Sequence, residues 1–207
     1  MALPRPKYSY LLVVFLAAAA QGCRTEPQLP NTQFAEANVN GTTLKYDVTG
    51  AGHPLVLVHG GFVDRRMWDD QLPVFARKYK VIRMDLRGFE GSPTPEAPFS
   101  YVDDLHELLV QLNTGPVYLL GLSLGAMVAT EFATNHPEMV DALILAGAPL
   151  RGIQTEDPEG SQKKMINVIR TFRRGALDST VALTLELPVF NPAKENPEVR
   201  EKMATMV

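Results

Sequence analysis

The order of elements along this chain predicts an α/β protein: a mostly parallel sheet flanked by helices on both faces, opened by an antiparallel hairpin and followed by a helical segment. Three observations predict it. Between Leu55 and Ala146, short apolar runs alternate with helix-like stretches. One of those runs leads through Gly121-Leu122-Ser123-Leu124-Gly125 into a segment of small and apolar residues. After Pro149 the strand signals stop, and apolar residues recur at helical spacing.

Taken in order, residues 1–22 read as a signal peptide. Arg5 and Lys7 precede the apolar run Leu11–Ala20, which is short for a bilayer span and long enough for a signal-peptide core. The run ends in Ala20-Gln21-Gly22-Cys23, which resembles a bacterial lipobox. That resemblance implies a lipid on Cys23 and a membrane-anchored lipoprotein of the cell envelope. A soluble secreted or periplasmic product and an uncleaved anchor remain open. Cys23 is the only cysteine, so no disulfide can form within one chain. Residues 23–33, polar with two prolines, read as a tether.

The sheet-forming region is expected over residues 34–150. Asn40-Gly41 sits between the strand-like runs 34–39 and 42–48, a strong hairpin signal. Gly50-Ala51-Gly52-His53-Pro54 reads as a turn, and Leu55–Val58 as a strand buried on both faces. Trp68, Leu72 and Phe75 suit a helix, with Trp68 in the core. Lys80–Asp85 is a strand. Tyr101–Leu112 carries a helical stripe with Asp103 and Asp104 near its start. Val117–Leu122 is a strand, Leu124–Thr134 a helix, and Val140–Ala146 a strand. Residues 151–207 are expected to be helical, from Met165, Val168, Ile169 and Phe172, then 177–185, then Pro197 behind Asn196.

A chain of 207 residues suffices for one domain with a real core. Its formal net charge of −3 leaves a nucleic-acid role without electrostatic support.

In an open α/β sheet, sites form beyond the carboxyl ends of the strands. Three unusual stretches fall there: His59-Gly60-Gly61-Phe62, Asp85-Leu86-Arg87-Gly88 and the Ser123 turn. Gly-x-Ser-x-Gly between strand and helix suits a nucleophile. The serine stands on a sharp, strained turn with its hydroxyl exposed, and the glycines remove side chains that would collide with neighbouring backbone. The same turn sets Ser123 at a helix N-terminus, which favours developing negative charge. A helix-capping serine without a catalytic role is the structural alternative.

The stretches "LVLVHGGFVDRRMWDDQ", "VIRMDLRGFEGS" and "VYLLGLSLGAMVATEFATNHPEMVDALILAGAP" together resemble the α/β-hydrolase fold family, from about Phe34 to the end of the chain. The resemblance implies that Ser123 is the nucleophile and that the amide of Leu124 is one oxyanion donor. The other donor comes from Gly61 or Phe62, and family patterns put it at Gly61. His59 is then a structural residue of that turn, and Asp85 and Arg87 are structural or pocket-rim residues. Glu90 stands where the usual family form has Gly. No metal or cofactor is expected.

A serine nucleophile needs a base, and the base needs an orienting group. In this family the order is Ser, then Asp or Glu, then His. Only His136 follows Ser123, at the far end of the following helix, while His53 and His106 read as surface residues. Glu156 and Asp157 are weak candidates for the acid. Residues 151–207 resemble part of the family's helical cap. The expectation is a C-terminally truncated sequence lacking the strands that carry acid and base; a partial gene product, or a domain completed by another chain, are the alternatives. An end at Val207 would leave Leu143–Leu145 on an open sheet edge. The function expected is hydrolysis of a small carboxylic ester or lactone through a Ser123 acyl-enzyme. A non-catalytic ligand-binding relative, and a different chemistry on the same scaffold, are the alternatives.

Overall fold

The computed structural model describes residues 31–90, 98–148, 160–174, 177–187 and 196–206. The proposed signal peptide, Cys23, most of the tether, Gly91, Glu156 and Asp157 lie outside the described residues. Among those described, no helix is long and apolar enough to cross a membrane.

Strands β1 (Gln33–Val39), β2 (Thr42–Thr49), β3 (His53–Val58), β4 (Tyr79–Met84), β5 (Val117–Leu122) and β6 (Val140–Ala146) form one sheet in the order β1-β2-β4-β3-β5-β6. β1, β2 and β4 pair antiparallel, and β4, β3, β5 and β6 pair parallel. The two-residue loop between β1 and β2 holds Asn40 at φ 43° and Gly41 at φ 75°. Two left-handed residues in succession make the turn whose twist matches paired strands, which is why Asn-Gly works there.

Alternation along the central strands feeds two cores. Val56, Val58, Ile82, Met84, Val117 and Leu119 face helices α2 (Tyr101–Gln111) and α3 (Leu124–Asn135), meeting Leu105, Leu108 and Phe132. Leu55, Leu57 and Val81 face the other way, onto Trp68, Leu72 and Ala76. Helix α2 starts where Ser100 accepts the amide of Asp103 at 3.1 Å, with Asp103 and Asp104 in its first turn.

Two local expectations need correction. The stretch from Trp68 to Phe75 is not one helix but a 3-10 turn, Arg65–Trp68, and a short α1, Leu72–Phe75. Pro73 cannot donate an amide to the preceding turn, so it opens a new helix instead of continuing one. His53 and Pro54 belong to β3 rather than to a turn, registered against Tyr79 and Lys80 of β4. Pairing with β5 begins only at Leu55, so Pro54 lies before that ladder begins.

Helices α4 (Ser161–Arg173), α5 (Leu177–Leu185) and α6 (Pro197–Ala204) follow the sheet. Asn196 caps α6 by accepting the amides of Glu198 and Val199. The segment meets the sheet region through Leu185 and Met203, which bury Val63 with Met67 and Met206 around them. β6 has no described neighbour beyond β5, and Leu143, Ile144 and Leu145 are 38%, 47% and 38% exposed.

Candidate active site

β5 passes into α3 through Ser123, at φ 51° and ψ −107°. An L-residue enters that region only under strain. Its amide donates to the carbonyl of Ala146 in β6 at 2.9 Å, and its carbonyl accepts from Met127 at 3.1 Å. Strand and helix therefore hold the strained residue from both sides. Ser123 is exposed, and its side chain makes no capping bond. The flanking glycines are sterically required. A Cβ on Gly121 would lie 2.2 Å from the carbonyl oxygen of Gly125, and one on Gly125 would lie 2.3 Å from that of Val58.

The turn after β3 adjoins the serine. A Cβ on Gly60 would lie 3.8 Å from Ser123 Cβ, and one on Gly61 would lie 4.0 Å from Leu124 Cβ. Leu124, Gly61 and Phe62, the three residues expected to supply oxyanion donors, thus belong to two turns that meet at Ser123. Phe62 is itself left-handed, at φ 65°.

His59 is fully buried beneath this junction, and both ring nitrogens are committed. The carbonyl of Gly60 can only accept, so Nδ1 carries the proton across 2.7 Å; the amide of Leu86 can only donate, so Nε2 accepts at 2.9 Å. Burial drives its pKa from 6.5 down to about 4. A neutral ring with its lone pair engaged is no base. It ties the β3 turn to the end of β4.

A polar set surrounds it. Asp64, fully buried, caps the 3-10 turn by accepting the amide of Arg66 at 2.9 Å and also binds the Arg66 guanidinium. Asp85 is fully buried, accepts the amide of Arg65 at 2.8 Å and is paired with its guanidinium. Burial pushes the Asp85 carboxyl up to about 6 against the pull of Arg65. Asp47 of β2 bridges Arg65 and the buried Arg83 of β4. Arg87 holds Asp104 of α2 through two bonds, of 2.8 and 2.7 Å. Glu90, at φ 39°, faces Lys45 at 3.3 Å, Arg65 at 3.8 Å and Arg66 at 3.9 Å.

The remaining histidines lie elsewhere. His53 begins β3, its ring tilted against Tyr118, at the amino end of the parallel strands. His136 caps the end of α3, about 18 Å along the helix from Ser123. His106, expected at the surface, is half-buried and stacks on His136 with ring centres 4.2 Å apart. Of the acids near the two turns, Asp64 and Asp85 are each bound to an arginine. Among the described residues, no group of three or more His, Cys, Asp or Glu side chains is arranged to hold a metal ion. The sequence reading missed the roles of Asp64, Arg65 and Arg66. The cap and the Asp64–Arg66 pair were available locally, two residues apart; the pairs of Arg65 with Asp47 and Asp85 were not, because the packing of the strands brings those partners together.

Residues 53–172 match the family model described as alpha/beta hydrolase fold. The chain is 31% identical over 118 residues, 54% of its length and 41% of the relative's, to the 2-hydroxy-6-oxo-6-(2'-aminophenyl)hexa-2,4-dienoic acid hydrolase of Metapseudomonas resinovorans. Among solved structures it is similar to a hydrolase from Pseudomonas aeruginosa PA01, with a TM-score of 0.68 at 27% identity, covering 85% of this chain and 66% of that one. It is also similar to a thermophilic esterase from Thermogutta terrifontis, with a TM-score of 0.64 at 28% identity, covering 84% and 66%. The chain spans about half the length of the curated relatives it matches.

Proposed function

The chain belongs to the α/β-hydrolase fold family, and from that premise we propose that it is the nucleophile-bearing part of a serine hydrolase that cleaves a small carboxylic ester or lactone. The observation that carries this reading is the exposed Ser123 on its strained turn, with Gly60 and Gly61 against it. Ser123 Oγ would attack the ester carbonyl and form an acyl-enzyme with loss of the alcohol. Water would then release the acid. The amide of Leu124 and that of Gly61 or Phe62 would donate to the tetrahedral oxyanion, which is worth several kcal/mol of barrier when such donors are preorganised. Esterase chemistry is supported by the Thermogutta terrifontis relative.

The base and acid are proposed to come from sequence beyond these 207 residues. His59 has no lone pair to offer, and the other three histidines lie at the opposite end of the sheet. The same observation favours a second reading, a ligand-binding relative without turnover. A fluorophosphonate applied to the product of the complete reading frame separates the two. The hydrolase reading expects one adduct, on Ser123, lost in Ser123→Ala. Labelling that persists in the alanine variant overturns it, and ligand binding without labelling supports the second reading.

The apolar run before Cys23 supports a further proposal: export, with Cys23 lipidated and the domain tethered to a membrane. Metabolic labelling with a fatty-acid analogue tests it. The label should disappear in Cys23→Ser, and a labelled serine variant sinks the proposal.

A further inference from the structure

The helical segment is fastened to the turn that adjoins Ser123, and one side chain makes both contacts. Arg66 lies in the 3-10 turn that follows His59–Phe62. Its guanidinium holds the fully buried Asp64 and also donates to the carbonyl of Thr205, at the end of α6, at 3.0 Å. Asp64 fixes the start of the 3-10 turn and lies two residues from the left-handed Phe62. Beside this link, Lys202 of α6 approaches Asp70 at 3.2 Å and Asp69 at 3.9 Å. Beneath it, Met203 and Leu185 close over Val63. A polar rim therefore surrounds a small apolar contact, and both sit on the segment that shapes the glycine turn beside Ser123.

We propose that Arg66 is a positioning residue: it couples the seating of the helical segment on the sheet to the shape of the glycine turn that faces Ser123. The Coulomb partners on each side define how the coupling works. From the turn, Asp64 faces the guanidinium; from the loop after β4, Glu90 does; from α6, the carbonyl of Thr205 does. With α6 seated, Arg66 is held at both ends and Asp64 is fully bonded. With α6 displaced, the guanidinium loses its far anchor and keeps only Asp64 and Glu90, while the bonds of Asp85 and His59 still tie the turn to the sheet. Lysine at this position would keep the charge beside Asp64. It lacks the planar fork that serves a carboxylate and a carbonyl together.

The coupling part rests on Ser123 as nucleophile; the seating part does not, so two measurements keep the two failures apart. In the complete gene product, hydrogen exchange over residues 197–204 reads seating, and the rate and saturation of fluorophosphonate labelling read the turn. Arg66→Ala should speed exchange in α6 about tenfold, the loss expected for one charge-assisted bond, and leave α2 unchanged. Labelling should slow several-fold, mostly through the maximal rate, with Arg66→Lys intermediate in both. Lys202→Ala should loosen α6 less. Unchanged exchange in α6, or equal acceleration in α2, overturns the proposal. So does loosened α6 with unaltered labelling kinetics. A wild-type protein that never labels removes the nucleophile reading, while the exchange measurement still decides whether Arg66 seats α6.

Discussion

The two turns that meet at Ser123 are held in shape by opposite means. The serine turn works by leaving atoms out: Gly121 and Gly125 admit backbone at distances no side chain could tolerate. The His59–Asp64 turn works by putting polar side chains in: His59, Asp64 and Asp85 are all fully buried and each is bonded. One turn is steric and carries no titratable support, and the other is electrostatic and depends on protonation. A site assembled from both should therefore fail in two distinguishable ways.

The largest effect is expected at the steric turn. In Gly125→Ala the new methyl meets the carbonyl oxygens of Val58 and His59, at 2.3 and 2.6 Å, and backbone cannot move aside as a flexible side chain would. Destabilisation of about 3 kcal/mol or more is expected, at the upper end for overpacking, with the same loss at every pH. Urea midpoints at pH 4.5 and pH 7 measure both parts. A variant of wild-type stability would show that the turn has room, and the steric account would be wrong.

The electrostatic turn should break with pH instead, and its two buried groups have opposite signs. His59 has a folded pKa of about 4 against 6.5 unfolded, so the native state binds fewer protons between those values. Its contribution is complete above pH 6.5 and is lost as pH falls to 4, by about 3 kcal/mol. Asp85 has a folded pKa of about 6 against 3.8, so the native state binds more protons, and stability is gained as pH falls through that window, by a similar amount. The two slopes nearly cancel in the intact protein. Asp85→Asn should uncover the His59 slope, making the protein less stable at pH 4.5 relative to pH 7. His59→Gln should uncover the reverse. If both variants changed with pH in the same direction, the two groups would not carry these shifts.

That contrast also sorts what was legible in the sequence. The serine turn was legible because its determinants lie within five consecutive residues and act sterically. The sheet was legible because apolar runs mark strands wherever both faces are covered. The polar turn was not. Arg65 reaches Asp85 across 20 residues and Arg83 reaches Asp47 across 36; the register of β2 against β4 sets Asp47 opposite Arg83, and the parallel pairing of β3 with β4 brings the turn carrying Arg65 beside Asp85. Local signals also misled where pairing overrode them, as at His53-Pro54, which sits in β3 because β4 offers Tyr79 and Lys80 as partners. The histidine census was the most useful negative sign: His59 lies nearest the serine turn, yet its hydrogen bonds, invisible in sequence, remove it as a base.

Glu90 lies where the two means of support meet, and it carries the smallest effect. It is a non-glycine residue at φ 39° whose carboxylate is half-exposed among Lys45, Arg65 and Arg66. The left-handed backbone costs about 1 kcal/mol, and partly exposed ion pairs return up to about 1 kcal/mol. Glu90→Gly removes both terms and adds the entropy of a glycine in the unfolded chain, about 0.5–1 kcal/mol. The net change should lie within about 1 kcal/mol of zero. Glu90→Ala discards the ion pairs and keeps the strain, so it should be the less stable of the two. In 1 M salt, where screening shortens to about 3 Å, wild type should lose its ion-pair support, and Glu90→Gly should rise relative to it. Urea midpoints for both variants at low and high salt measure this ordering. An alanine variant more stable than the glycine variant would mean that the strain at Glu90 is smaller than the entropy cost of a glycine, about 0.5–1 kcal/mol, leaving charge to explain the residue.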